Sequence, residues 1–195
     1  MSRYLRLALF VMGVGSFLFL IVLFVLPTRW EVARTQNVRA SAEQIYAHLD
    51  DLHAWKAWSP WQESAYPGLV FRYAGPPRGP GAQLSWQSES TGDGLLRIEA
   101  SDPPRLLTFS MSFQKGRIRA RDTLRLEPLP GGATRVTWHD QGTLGRTLIG
   151  RLSLPLVEQS MGRDLERGLV ALAAVAEGRP VPTPTPAAPA PAPAR

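Results

Sequence analysis

The sequence predicts an α+β protein: a curved antiparallel β-sheet wrapped around a long C-terminal helix, with one transmembrane helix ahead of it. Three observations predict this architecture. An apolar run of bilayer length stands near the start, alternation of period two recurs through the middle, and an amphipathic stripe of helical period closes the ordered part. They divide the chain into a membrane anchor at 1–30, one domain at 31–178 and a disordered Pro/Ala-rich tail at 179–195.

Leu5 to Leu26 reads LRLALFVMGVGSFLFLIVLFVL, with Arg6 as its only charge. At about 1.5 Å per residue, a helix from Leu7 to Leu26 spans roughly 30 Å, the thickness of the hydrocarbon core. The run exceeds a signal-peptide core of about 7–15 residues, and no small-x-small cleavage site precedes PTRW. An uncleaved single-pass anchor in a bacterial-type inner membrane is therefore expected. Arg29 and Trp30 take the positions of interfacial anchors. Arg3 and Arg6 nearly balance Arg29, Arg34 and Arg39, so orientation is weakly determined; the amino terminus in the cytoplasm and the domain outside is the preferred arrangement.

A short strand is expected from Glu31 to Val38. Ser41 and Gln44 then form a capping box, and Ile45, Leu49 and Leu52 continue a helix to about Asp50–Leu52, with Tyr46 beside the stripe. Trp55 and Trp58 share a face if one more short turn forms, before Ser59-Pro60 ends it. Alternation follows in Gln83–Ser88, Leu95–Ala100, Leu106–Phe113, Arg117–Glu127 and Ala133–Asp140, separated by TGDG, SDPP, KG and LPGG. Such segments are antiparallel strands, wet on one face and buried on the other. Arg117, Arg119, Arg121 and Arg125 form a solvated outer row or touch lipid headgroups. The closing helix presents Met161, Leu165, Leu169, Leu172 and Val175 to the sheet and stops at Gly178 and Pro180. One helix laid over a twisted sheet leaves a hollow. Its expected lining is Trp58, Leu84, Trp86, Ile98, Phe109, Met111, Leu124, Trp138, Met161, Leu165 and Leu169.

The composition narrows the function. The chain has 195 residues, a formal charge of +6 and no cysteine, which excludes disulfides and thiolate metal sites. No lysine-rich run or base-stacking motif speaks for nucleic acid. His48, His53 and His139 lack metal-binding spacing, and no metal or cofactor is expected. The prolines of RPVPTPTPAAPAPAPAR remove donors and fix φ, giving an extended spacer.

The segments SAEQIYAHLDDLHAWKAWSPW, YAGPPRGPGAQLSW, LEPLPGGATRVTW and MGRDLERGLVALAAVAE resemble the START-like SRPBCC superfamily, in its polyketide cyclase/dehydrase-like branch. The resemblance runs from about Val32 to Glu177. It implies the helix-grip (START/Bet v 1-like) fold and an internal cavity for a lipid, sterol or polyketide-like guest. The branch has no universal catalytic motif, so the resemblance carries over no active-site residue.

Two carboxylates break the apolar inner rows. If LPGG pairs Leu126 with Val136, Asp122 faces Asp140; a slip of two residues sets Asp122 beside Trp138 instead. Facing carboxylates in an apolar hollow share a proton and suit acid–base work. The competing reading puts Asp140 at a solvated strand end and pairs Asp122 with an arginine or a cavity hydroxyl. The leading expectation is a membrane-tethered module that binds an apolar or amphipathic small molecule, with GRTLIGRLSLPLVEQ, interrupted at Pro155, as a lid. A cyclase- or dehydratase-type enzyme using Asp122 and Asp140 is the alternative. A non-catalytic envelope protein that recruits an unknown protein partner is a third.

Overall fold

The computed structural model describes residues 3–25, 27–62, 69–87, 92–113, 116, 118–144 and 148–182. Leu26, Arg117, positions 145–147 of the expected lid and positions 183–195 of the tail lie outside the described residues. Helix α1 covers Arg3–Val25, and the apolar side chains described along it, Leu7 included, are exposed. Its Arg3–Ile21 part is long and apolar enough to cross a membrane, a test that a signal sequence also passes.

The domain begins with strand β1 (Arg29–Val38), two residues earlier than expected. Short helix α2 (Ala42–Tyr46) follows, and the Ser41/Gln44 capping box opens it. The helix stops well before Leu52, and the tryptophans give the reason. The Trp58 Nε1 donates to the His48 carbonyl at 3.0 Å and the Trp55 Nε1 to the Leu49 carbonyl at 2.8 Å. Carbonyls that would accept from the next helical turn are capped by indoles instead. The 3-10 turn at Ala54–Ala57 brings both rings underneath, so the shared face forms, and both rings are buried.

Strands β2 (Val70–Ala74), β3 (Gln83–Gln87), β4 (Gly94–Asp102), β5 (Leu106–Phe113), β6 (Ile118–Pro128) and β7 (Thr134–Thr143) complete one antiparallel sheet. Its order is β1-β7-β6-β5-β4-β3-β2. Strand β2 is not anticipated by the sequence pattern. It is an edge strand paired only with β3, and Val70 points into solvent, so VFRYA shows no clean alternation.

The sheet has two ends. At the end that follows α1 Arg29 of β1 lies opposite Thr143, and Thr143 opposite Arg119; at the far end Val38 lies opposite Thr134, and Thr134 opposite Pro128. Helix α3 (Leu148–Ala176) crosses the inner face, packing mainly on β1. Pro155 lies inside it rather than separating a lid from it, so the expected interruption is absent. At its C-terminus Gly178 takes φ +65°; its N–H donates to the Val175 carbonyl while that of Arg179 donates to the Ala174 carbonyl. This Schellman motif needs a residue at ease in the left-handed region, which is glycine.

Candidate functional site

Strand register builds the site row by row across the inner face. Trp30, Gly142, Ala120, Met111, Leu96, Leu84 and Tyr73 form one row, and Val32, Asp140, Asp122, Phe109 and Ile98 form the next. Leu126 does pair with Val136, and Asp122 faces Asp140 on the neighbouring strand. Both are deeply buried, at 1 % and 2 % exposure. Asp140 is therefore not at a solvated strand end, and no arginine among the described residues meets Asp122.

Each carboxylate instead takes one indole N–H from the adjoining strand. Trp138 Nε1 on β7 donates to Asp122 Oδ1 at 2.8 Å, and Trp30 Nε1 on β1 donates to Asp140 Oδ2 at 2.8 Å. Trp30 is thus core, not an interfacial anchor, and the reason lies across the strand. Gly142 faces it, and a Cβ there would collide with the indole ring. The missing side chain lets the ring lie flat and reach Asp140. Sequence reasoning missed this role; an in-phase Trp30 and Gly142 two residues from Val32 and Asp140 were the available signal.

The outer oxygens, Asp122 Oδ2 and Asp140 Oδ1, are buried without a hydrogen-bond partner among the described residues. Burial raises the Asp122 pKa well above the usual carboxylate range; the Asp140 charge adds to this, and the Trp138 N–H opposes it. Burial pushes Asp140 up to about 6, opposed by the Trp30 N–H and by His139. Burial thus favours the protonated form of both carboxyls, and the Asp140 charge favours it further at Asp122. His139 itself points outward, 2.8 Å from Glu31 Oε1. A third buried polar atom without a partner, the Tyr73 hydroxyl, ends the Trp30–Gly142–Ala120 row.

All the expected lining side chains sit in the interior, with Met161 only partly buried. They divide into two groups. Toward the far end an aromatic cluster fills the space: Trp55 meets Phe109 at 5.0 Å between centroids, and Trp58 and Trp61 each meet Trp138 at 5.8 Å. Leu124, Leu165 and Leu169 are buried core. Toward the α1 end the row holds Ala120 and Gly142, the latter covered by the Trp30 ring. Trp86 packs edge-on to Phe113 at 5.5 Å, and Phe113, Ile118 and Leu144 are only partly buried. No group of three His, Asp or Glu able to hold a metal comes together among the described residues.

A long helix held by a seven-stranded antiparallel sheet is the helix-grip class. Solved structures share this fold. The Zhui aromatase/cyclase of Streptomyces sp. R1128 superposes with TM-score 0.58 at 15% identity, over 76% of this chain and 94% of that one. Truncated norcoclaurine synthase of Thalictrum flavum gives 0.56 at 14% identity, over 75% and 92%. A Thermobifida fusca protein solved by NMR gives 0.57 at 22% identity, over 76% and 93%. No curated protein matches the chain in sequence. Residues 29–177 match the family model described as polyketide cyclase / dehydrase and lipid transport, and the chain belongs to that family.

Proposed function

We propose that this chain is a membrane-tethered binding module, anchored by α1, that holds one apolar or amphipathic small molecule between the sheet and α3. The family and fold support binding of a hydrophobic small molecule. The observation that carries the reading is local. Two buried carboxylate oxygens lack partners among the described residues on an apolar face, beside the small side chain of Ala120. Buried polar atoms are paired in nearly all proteins, so an unpaired couple awaits a donor from outside the chain. The guest is then oily over most of its length and carries one hydroxyl or amino group. Protein extracted in mild detergent is expected to carry such a guest in native mass spectrometry, or to bind saturably dehydroergosterol, a fluorescent sterol with a single hydroxyl. Ala120→Phe, which fills the space beside the carboxylates, abolishes both while far-UV dichroism is unchanged. Neither a guest nor saturable binding in the wild type would refute the reading.

The same pair favours a second reading, acid–base catalysis. Protonated Asp122 donates its proton to a departing hydroxyl, which leaves as water, while ionised Asp140 removes a proton from the adjacent carbon as the C=C bond forms. The double variant Asp122→Asn/Asp140→Asn tests it: loss of turnover of a bound β-hydroxy guest with binding retained supports catalysis, and unchanged turnover ends it.

A further inference from the structure

Strand β1 fixes where the domain stands relative to α1. Val25 ends the helix and Arg29 starts the strand. Four extended steps between them reach at most about 14 Å. The Arg29 end of the sheet is thus held close to wherever α1 ends.

Helix α3 is pinned along β1 at two places. Arg34 Nε donates to Glu166 Oε1 at 2.5 Å, and the Arg39 N–H donates to Glu177 Oε1 at 2.8 Å. From Arg34 to Arg39 the chain climbs about 16 Å at strand pitch, and from Glu166 to Glu177 it climbs about 16 Å at helix pitch. Equal rises mean that α3 and β1 run side by side in the same direction. Counting back from Glu166 at the same pitch sets Pro155 level with Arg29. Residues 148–154 therefore overhang the first residue of the strand by about 10 Å, on the side of α1.

The outer face from the overhang to the residue just past Pro155 is oily. Leu152 and Leu156 are 57 % and 51 % exposed and four residues apart, hence on one helical face, while Leu154 between them is buried. The inner face of the sheet also loosens at this end. Phe71, Phe113, Ile118 and Leu144 are only partly buried, whereas Val38, Val136 and Leu126 at the far end are fully buried. Exposed Arg29 and Arg119 stand at the same edge and suit anionic headgroups.

We propose that the first two turns of α3 lie in the headgroup layer of the membrane that holds α1, so that the interior of the domain opens toward the bilayer. This rests on α1 spanning a membrane, and it deepens the binding reading: the guest is a membrane-resident amphiphile that passes between bilayer and domain without crossing water. Pro155 supports such a passage, because its missing N–H removes one helical hydrogen bond where the overhang joins the rest of α3.

The absence of cysteine makes the test direct. Full-length single-cysteine variants Phe17→Cys, Leu152→Cys, Leu156→Cys and Val170→Cys are labelled with bimane and reconstituted into phosphatidylcholine/phosphatidylglycerol vesicles. Quenching is read with a nitroxide carried high on a lipid acyl chain and with aqueous iodide. Val170, 44 % exposed toward the other end of α3, is the aqueous reference. The expected result is strong lipid quenching at Phe17, and lipid quenching at Leu152 and Leu156 several-fold above that at Val170, with iodide in the reverse order. Lipid quenching at Phe17 with Leu152 and Leu156 matching Val170 overturns the headgroup contact and leaves the anchor standing. No lipid quenching at Phe17 overturns the anchor, and the contact falls with it.

Discussion

Replacing Asp140 by Asn isolates the cost of the buried charge. The variant keeps the shape of the side chain and an oxygen for the Trp30 Nε1 to donate to. In the wild type, burial raises the Asp140 pKa to about 6 in the folded protein. An unfolded chain titrates it near 3.9. Between those two values the folded form still holds a proton that the unfolded chain has released, so stability falls as pH rises through this window. A difference of roughly two units at about 1.4 kcal/mol each removes about 3 kcal/mol by the time Asp140 is ionised. Asn has no proton to lose, so the variant gains about 3 kcal/mol on the wild type between pH 4 and pH 7. Asp164 and Asp50, also raised by burial, contribute to both proteins and cancel in the difference. Asp122 loses the neighbouring charge that raises it, which adds to the gain. The assay is urea unfolding of the full chain in mild detergent, followed by tryptophan fluorescence. All six tryptophans lie beyond α1, so that helix is silent. A difference between variant and wild type that stays flat from pH 4 to pH 7 would refute the reasoning.

Further outcomes follow from the same geometry. Trp30→Phe removes the N–H that holds the Asp140 pKa down, so that pKa rises above about 6, read by carboxyl NMR titration; the unpaired oxygen costs about 1–3 kcal/mol in the same urea assay. Gly142→Ala puts a Cβ into the Trp30 ring and 2.6 Å from the Arg119 carbonyl oxygen, and overpacking of this kind destabilises by about 1–3 kcal/mol. Arg34→Ala breaks a half-exposed ion pair with Glu166, and its effect on the urea midpoint corresponds to at most about 1 kcal/mol.

Most of the fold was legible because its signals are periodic. The inward rows of β3 to β7 and the stripe of α3 follow from strict spacing of apolar residues, and the facing of Asp122 and Asp140 follows once Leu126 meets Val136. What was hidden depends on contacts between distant residues. Strand β2 alternates only weakly in sequence, because it is short and carries Val70 and Ala74 on its exposed face. The early stop of α2 is imposed by indoles from residues 55 and 58 reaching back to carbonyls 48 and 49. Trp30 reads as an interfacial residue by its distance from the apolar run. Only the cross-strand pairing with Gly142 draws it inside and makes it the donor to Asp140.

The three tryptophans at 55, 58 and 61 decide where a guest can lie. Their rings occupy the space between the sheet and the chain that follows α2, meeting one another, Phe109 and Trp138. Trp138 in turn gives its N–H to Asp122, so the aromatic cluster ends at the carboxylate pair and holds one side of it in place. Beyond the pair, toward β1's first residue, the Trp30 ring covers Gly142, and the inner face continues with Ala120 and the partly buried Ile118 and Leu144. The packed half thus acts as a rigid floor, and the carboxylates are the last polar groups before it. On the proposed reading, an amphiphile entering tail-last from the membrane would place its polar head on Asp122 Oδ2 or Asp140 Oδ1 and leave its hydrocarbon pointing back to the bilayer.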